Sequence, residues 1–276
     1  MANSNKEYYL TEVDRQPSSI YCMHDLMGET DITFHKHNKG QFLYTEGGVV
    51  HVTTNSQTFF LPARHYMWIP AGVMHSIHPT TANVIMRNLY FPTEHNEDEF
   101  YSKTAVYPVS ELLLQMIIYT NRWSGDKKPI DKSAWHFTLS LKSILPEISI
   151  YKLPLYLPYA KDKRLIWIIK YMQENLHESI VLSDFEKLKG VSPRTLSRLF
   201  QSDVGMSFVQ YLTIQRLMRA IDLLLENQLS VKEVASLVGY NSTPTFSNTF
   251  FKILGIRPSE YQKQASSFSP ESFLAE

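Results

Sequence analysis

Short apolar runs alternate with turn residues along the amino-terminal third of the chain. The runs are rich in Val, Ile, Thr, Phe and Tyr, which is typical of β-strands. Many short strands at regular spacing predict an antiparallel sandwich or barrel. The predicted strands are Tyr21–Met27, Asp31–His37, Gln41–Glu46, Gly48–Thr54, Gln57–Leu61, His65–Ile69, Met74–His78 and Val84–Phe91.

The pattern changes after this region. Segment Pro92–Pro108 is polar and acidic, which predicts a connector. Segments Val109–Trp123 and Lys132–Ile150 place apolar residues at helical spacing. Segment Lys152–Tyr159 contains two prolines and predicts an extended linker.

From Asp162 onward the pattern is helical, and signals for helix starts and ends recur. Ser-x-x-Glu or Ser-x-x-Gln sequences predict capping boxes that begin at Ser183, Ser207 and Ser230. Ser192 and Thr243 each precede a proline, as N-cap residues often do. Gly190 and Gly239 stand where helices are expected to end.

These signals form one pattern that occurs twice: a short helix, a glycine turn and a second helix. In the first copy, helix Ser183–Lys189 is followed by a helix from Pro193. In the second, helix Val231–Val238 is followed by a helix near Pro244. The pattern predicts two helix-turn-helix units, whose second helices can enter the major groove of DNA.

A long helical segment, Phe208–Glu226, separates the two units. A helix of that length spans about 30 Å. One turn of DNA advances about 34 Å. The spacing therefore predicts two recognition helices in successive major grooves on one face of the DNA.

The composition fits a folded protein of about two domains, since the chain has 276 residues, 43% of them hydrophobic. No apolar run approaches the roughly 18 residues of a membrane helix. Cys22 is the one cysteine, which rules out an intramolecular disulfide and fits a cytoplasmic location. The net charge of zero argues against a wholly basic nucleic-acid coat, but not against a local DNA-binding surface.

Residues 191–225 (VSPRTLSRLFQSDVGMSFVQYLTIQRLMRAIDLLL) and 230–262 (SVKEVASLVGYNSTPTFSNTFFKILGIRPSEYQ) resemble the DNA-binding domain of AraC/XylS-type transcription regulators. The likeness includes the serine-capped recognition helix, the Ala235-x-x-x-Gly239-Tyr240 sequence and the closing Pro258-Ser259-Glu260-Tyr261 sequence. It implies a transcription regulator with double-stranded DNA as partner, and with RNA polymerase as a further partner of an activator.

Three positions depart from the family pattern. Glu186 stands where the family usually has alanine, and Asn248 and Gln262 stand where it often has arginine. We therefore expect weaker phosphate binding by the second unit. Arg198, at the matching position of the first unit, is retained.

Exposed positions of the two recognition helices are the candidate DNA contacts. The apolar positions should pack inward: Leu196, Leu199 and Phe200 in the first helix, and Phe246, Phe250 and Phe251 in the second. Arginine suits guanine or phosphate, and asparagine suits adenine. The candidates are Arg194, Thr195, Ser197, Arg198, Gln201, Thr243, Thr245, Ser247, Asn248 and Lys252. The alternative is that these residues form only the solvated faces of the helices.

Nine of the ten histidines precede residue 160. His35 and His37 are two positions apart, so on a strand their side chains share a face. His75 follows a proline-glycine turn on another predicted strand. Three imidazoles and the amide of Gln41 could hold a divalent Zn, Ni, Fe or Mn ion.

The sequences around these histidines, over residues 20–92, resemble the two conserved motifs of cupins, small barrels that are common sensor domains in this regulator family. Gln41 stands where metal-binding cupins have a glutamate. The likeness implies that His35, His37, Gln41 and His75 are the metal ligands of an effector site. The aromatic neighbours Tyr44 and Trp68 either line that site or, as is common for aromatic residues in strands, belong to the core. The alternatives are a pocket for a small organic effector without metal, and histidines with a purely structural role.

The expected fold class is α+β: an antiparallel cupin-like β-barrel with following helices, then an all-α domain with two helix-turn-helix units. The predicted boundaries are 1–151 for the sensor domain, 152–161 for a linker, 162–263 for the DNA-binding domain and 264–276 for a disordered tail.

The apolar faces of the two helices that follow the barrel either form a homodimer interface or pack on the barrel. Leu112, Leu113, Met116 and Ile117 would be central to such an interface. A rival interpretation of the chain is a cupin metalloenzyme, of dioxygenase or isomerase type, with an appended DNA-binding domain. The missing carboxylate argues against it, so we predict a regulator under small-molecule control and not an enzyme.

Overall fold

The computed structural model describes residues 12–27, 31–80, 84–94, 97–226 and 228–267. These residues divide into two compact units. The first comprises residues up to 55 and residues 60–153, and the second comprises residues 56–59 and 154–267. No helix in the described ranges is both long and apolar enough to cross a membrane.

Antiparallel strands build the first unit, as the alternating pattern predicts. Its larger sheet has six strands in the order β10-β1-β8-β3-β6-β9. A second sheet contains the strands β5-β4-β7-β2 in that order. The strands are β1 (Ile20–Leu26), β2 (Ile32–His35), β3 (Gly40–Glu46), β4 (Val49–Thr54), β5 (Gln57–Pro62), β6 (His65–Ile69), β7 (His75–Pro79), β8 (Ile85–Phe91), β9 (Ala105–Pro108) and β10 (Gly125–Lys127).

The predicted connector is more ordered than its polar composition indicates. A 3₁₀ helix, Glu99–Ser102, begins at Asp98, whose carboxylate accepts a hydrogen bond from the amide of Phe100. Strand β9 then pairs with β6 at the edge of the larger sheet. Ala105, Val106 and Tyr107 of this strand are all buried, so it lacks the alternation of polar and apolar residues that is typical of a half-buried strand.

One face of the larger sheet packs on two helices, α1 (Glu111–Tyr119) and α2 (Lys132–Ile148). Leu113 and Ile117 of α1 are fully buried in this core, so they cannot form an interface with a second chain. The expectation that all four apolar residues of this helix lie at a dimer interface is therefore wrong for these two. Leu112, by contrast, is 61% exposed.

The second unit is helical after a short strand. Strand β11 (Tyr156–Pro158) pairs antiparallel with residues 57–59, so the predicted linker is partly a paired strand. The helices are α3 (Lys163–Glu174), α4 (Asp184–Lys189), α5 (Pro193–Leu199), α6 (Phe208–Leu225), α7 (Val231–Leu237), α8 (Thr243–Leu254) and α9 (Pro258–Ser267), with a π-helical turn at Phe200–Val204 after α5. Helix α9 includes residues 264–267, which we expected in a disordered tail; residues 268–276 lie outside the described range.

Most of the predicted caps are present. Ser207 and Ser230 form complete capping boxes with Gln210 and Glu233. The box expected at Ser183 is absent, because Ser183 has helical dihedral angles and its side chain makes no cap hydrogen bond. Ser242 caps α8 in place of Thr243, which is the first residue of that helix.

Helix α6 joins the two helix-turn-helix units through an arginine. The guanidinium of Arg216 donates to the carbonyl of Glu178 at 2.7 Å and lies 5.7 Å from the ring centre of Tyr240. Gly239 makes this approach feasible, since it has φ of 80° and a Cβ there would overlap the Leu176 carbonyl oxygen and the Arg216 guanidinium.

Gly239→Ala should therefore destabilise the second unit by more than the cost of a left-handed backbone conformation alone. The left-handed conformation costs an alanine about 1 to 2 kcal/mol, and the overlap should raise the total to about 3 kcal/mol or more. Gly255→Ala is the matched control, because Gly255 has φ of 74° and nothing within 4 Å of an added Cβ. Thermal and urea unfolding of both variants measures the difference, and equal losses would contradict the steric argument.

Half-buried His24 and buried His65 lie outside the histidine cluster identified from the sequence. His24 Nε2 donates a hydrogen bond to the Thr120 carbonyl at 2.9 Å. His65 Nδ1 bonds to the Ala63 carbonyl at 3.0 Å. Burial lowers the pKa of each imidazole to about 4, and the charge of Arg87 adds to the effect at His24.

These low pKa values make folding sensitive to acid. Both rings stay neutral in the folded protein down to about pH 4, whereas the unfolded chain takes up a proton near pH 6.5. Their contribution to stability is thus complete above pH 6.5 and is lost as the pH falls from 6.5 to 4. Each should cost about 2 kcal/mol between pH 7 and pH 5. Urea denaturation at both pH values should show a smaller loss for His65→Gln than for His136→Gln, whose site is exposed.

Candidate DNA-binding surface and histidine site

The first recognition helix, α5, presents a polar face. Ser192 caps it by accepting a hydrogen bond from the amide of Thr195, and Pro193 occupies its first turn. Leu196 and Phe200 are fully buried, as predicted, and Leu199 packs against the same core. The exposed candidates are Arg194, Ser197, Arg198 and Gln201, whereas Thr195 is half-buried and its hydroxyl lies 3.0 Å from that of Ser192.

The second recognition helix, α8, has a similar polar face. Thr245, Asn248 and Lys252 are exposed, whereas Thr243 and Ser247 are half-buried. Phe246 and Phe250 are buried, as expected. Phe251 is 45% exposed, so its prediction as a core residue is wrong. It lies on the turn of the helix beyond Ser247, on the polar side.

A residue outside α8 also reaches this face. The guanidinium of Arg257 donates to Asn248 Oδ1 at 2.8 Å and lies 4.6 Å from the ring centre of Phe251. Sequence analysis placed no role on Arg257, since it lies in the turn between α8 and α9. The sequence signal for this turn is Gly255, two residues before Arg257, which ends α8 in the left-handed conformation.

The three predicted histidines converge in the first unit. His35 ends β2, His75 begins β7 directly opposite it, and His37 follows β2. The ring centres lie 4.3 Å apart for His35 and His75, 5.2 Å for His37 and His75 and 5.9 Å for His35 and His37. One ring nitrogen from each residue lies within 4.8 Å of the others.

Backbone carbonyls fix the tautomer of all three rings. Nδ1 of His35 lies 2.8 Å from the Thr33 carbonyl, Nδ1 of His37 lies 2.6 Å from the Lys39 carbonyl and Nδ1 of His75 lies 2.9 Å from the Val73 carbonyl. A carbonyl only accepts, so each Nδ1 carries the proton. In a neutral ring, Nε2 then has a free lone pair.

Burial keeps these rings neutral. It lowers the pKa of His35, His37 and His75, and that of His75 falls to about 3. Hydrogen bonds to carbonyls act in the opposite direction but are weaker than burial. Nε2 of His75 is buried and has no hydrogen-bond partner among the described residues.

A buried polar network adjoins the histidines. Gln41 Nε2 donates to Asn88 Oδ1 at 2.7 Å and to the Tyr90 hydroxyl at 3.2 Å. Its Oε1 therefore faces His37 Nε2, at 3.1 Å. Sequence analysis missed Asn88 and Tyr90. Their alternation with Leu89 and Phe91 along β8 is the signal that places them on the face of Gln41.

Tyr44 and Trp68 lie on the other face of the larger sheet. Tyr44 pairs with Tyr66, and Trp68 pairs with Phe42, and all four side chains belong to the core under α1 and α2. Trp68 Nε1 donates to the Tyr101 carbonyl at 2.9 Å. The structure therefore does not bring these two predicted effector residues to the histidines, because neighbouring strand positions point to opposite faces.

Two family models match the chain. A helix-turn-helix domain model matches residues 187–264, and an AraC-like ligand binding domain model matches residues 25–115. The first match covers both recognition helices and Arg257. The second covers the histidines and the network around Gln41.

Curated relatives agree with these matches. The chain is 26% identical to the HTH-type transcriptional regulator NimR of Escherichia coli (strain K12) over 274 residues, which is 99% of this chain and 97% of that protein. It is 41% identical to the HTH-type transcriptional regulator GbdR of Pseudomonas aeruginosa (strain UCBPP-PA14) over 91 residues, 33% of this chain and 25% of that protein.

Among solved structures, ToxT from Vibrio cholerae O395 aligns over 91% of this chain and 98% of that chain, with 13% identity and a TM-score of 0.38. The two family models and the full-length relative, together with the paired helix-turn-helix units, establish the class of protein. The chain belongs to the AraC family of transcription regulators and joins an AraC-like ligand-binding domain to a helix-turn-helix DNA-binding domain.

Proposed function

We propose that this regulator binds one DNA site with both recognition helices and that a ligand at the histidine site controls the binding. The observation that carries the proposal is the convergence of three neutral imidazoles, of which His37 and His75 are buried and His35 is half-buried. They lie in a ligand-binding domain whose partner domain presents two polar recognition helices. Control requires that the ligand bind two states of the protein with different affinity.

The length of α6 supports simultaneous binding by the two units. Its 18 residues span about 27 Å, which is close to the advance of one DNA turn. In this proposal Arg198 of α5 and Thr245 and Asn248 of α8 face the DNA. The full set of proposed contacts is Arg194, Thr195, Ser197, Arg198, Gln201, Thr243, Thr245, Ser247, Asn248 and Lys252.

Selection from random duplex DNA at a stated salt concentration tests this proposal. We expect enrichment of two sequence elements about one helical turn apart. On the selected site, Arg198→Ala should weaken binding about tenfold or more, because a charged hydrogen bond to DNA is lost. Fluorescence anisotropy measures the change, with Lys103→Ala in the first unit as control. Enrichment of one element alone would contradict reading by both units.

The donor atoms at the histidine site fit a divalent transition metal. Three Nε2 lone pairs converge, and each ring is oriented by a carbonyl behind it, which is the usual outer-shell arrangement of metal-bound histidine. The proposed ligands are His35, His37, Gln41 and His75.

In the neutral tautomer of His37, its contact with Gln41 supports a cation at this site. Oε1 of Gln41 and Nε2 of His37 are both acceptors, yet they lie 3.1 Å apart. Two ligand atoms that share a metal ion are also roughly 3 Å apart, because each lies about 2.1 Å from the ion. A cation between them would replace a repulsive contact by two attractive ones.

The donor set of three nitrogens and one amide oxygen suits Zn, Ni, Fe or Mn. The amide is neutral, so a bound divalent ion would keep its full charge. Such a site can attract an anionic or electron-rich organic effector. A small organic effector and a metal ion are therefore compatible occupants of one site.

Equilibrium dialysis against Zn²⁺ or Co²⁺, followed by metal analysis, tests this assignment. We expect about one ion per chain for the unchanged protein and for His136→Ala, and loss of binding by at least tenfold for His75→Ala, since a ligand is removed. Gln41→Glu should bind more tightly, because it adds a carboxylate ligand. Equal metal content in His75→Ala and the unchanged protein would refute the metal site.

Three further features complete the proposal. We propose a homodimer in which exposed Leu112 and half-buried Met116 of α1 take part. A DNA partner supports a cytoplasmic location and, for an activator, contact with RNA polymerase. The relatives are transcription regulators, which supports a protein without enzyme activity over a dioxygenase or isomerase.

A further inference from the structure

The turn between α8 and α9 places a cation on the second recognition helix. Arg257 Nη1 donates to Asn248 Oδ1 at 2.8 Å and to the Ser247 carbonyl at 3.4 Å. The guanidinium carbon lies 4.6 Å from the ring centre of Phe251. Three contacts from one stretch of α8 therefore hold a side chain that comes from outside the helix.

The backbone of Arg257 is also held in place. Gly255 ends α8 in the left-handed conformation, with φ of 74°. The amide of Arg257 donates to Glu260 Oε2 at 3.2 Å, which caps the start of α9. That carboxylate is used on the backbone, and in the described part of the chain no carboxylate forms an ion pair with the Arg257 guanidinium.

The partners of Arg257 leave its charge available. Asn248 Oδ1, the Ser247 carbonyl and an aromatic ring are neutral, so they orient the guanidinium without neutralising it. Arginine has five N–H donors, and the contacts to α8 use one nitrogen. Exposed Phe251 covers one face of the guanidinium, which gives this apolar ring a partner on the polar side of α8.

We propose that Arg257 binds a DNA backbone phosphate for the second helix-turn-helix unit and that Asn248 positions it. The amino-terminal residues of a recognition helix contact bases, whereas Arg257 contacts the middle of α8, from Ser247 to Phe251, at least one turn beyond its first residue. The guanidinium thus supplies the cation that is missing at position 248 itself.

This arrangement changes the role expected for Asn248. Reading adenine takes both the amide oxygen and the amide nitrogen of asparagine. The oxygen is already bound to Arg257, so Asn248 keeps only the two N–H donors of its amide nitrogen for DNA. The second unit therefore reads bases mainly through the earlier residues of α8, and its phosphate affinity is not reduced by the loss of arginine at position 248.

Salt-dependent binding of the full-length protein to its selected DNA site tests the proposal. Arg257→Ala should weaken binding about tenfold and lower the slope of log affinity against log salt by about 0.9. The loss should be equal on every single-base variant of the site, since a phosphate carries no sequence. Arg257→Lys should keep most of the slope because it keeps the charge.

A second variant separates charge from structure. In the Arg257→Ala protein, the additional change Asn248→Arg should restore both affinity and slope, because it returns the cation to the face of α8. Thermal unfolding of each variant, compared with the unchanged protein, controls for loss of fold.

Two results would overturn the proposal. An unchanged salt slope in Arg257→Ala would mean that Arg257 only stabilises α8 and does not bind a phosphate. A loss confined to one base pair would make it a base-reading residue. Binding of the unchanged protein is measured first, so a failure of the DNA-binding conclusion is recognised before any variant is compared.

Discussion

Burial of helix α6 is the constraint on which the DNA-binding unit depends. Of its 18 residues, 11 are buried, so the helix is packed on nearly all sides. Its first half contributes Phe208, Tyr211 and Leu212 to the core of the first helix-turn-helix. In its second half, Leu217, Ile221 and Leu224 are also buried. Both recognition helices are therefore placed relative to one rigid element.

In the first unit, side chains alternate between the two faces of the larger sheet, so that one face carries core residues and the other carries the polar residues beside the histidines. On one face, aromatic residues pack under α1 and α2 and use their polar atoms for internal hydrogen bonds. On the other, Gln41, Asn88 and Tyr90 form a polar network beside the histidines. A shift of one residue in register would exchange these faces, so the hydrophobic packing also fixes the position of the site.

Strand and helix positions were predictable because periodicity, turn residues and caps agree with one another. The helix caps predicted at Ser183 and Thr243 are wrong for local reasons. Ser183 has helical dihedral angles, and the Asp184 carboxylate accepts from the Val181 amide ahead of the helix. Ser242 precedes Thr243 as the cap of α8. Tertiary contacts explain the site residues that sequence analysis missed. Gly255 marks the turn, but the contact of Arg257 with Asn248 is tertiary. The alternation along β8 separates its two faces, but the pairing with β3 decides which face meets Gln41.

The carbonyls behind the three imidazoles have an evolutionary consequence. Because the acceptors at Thr33, Lys39 and Val73 belong to the main chain, substitution of those side chains does not remove them. The orientation of the rings should therefore survive sequence drift as long as the strands persist. In the proposed ligand site, selection for a new ligand would then act on a few side chains around the rings, with Gln41 and Asn88 foremost. The ligand could change in this way without rebuilding the sheet that positions the rings.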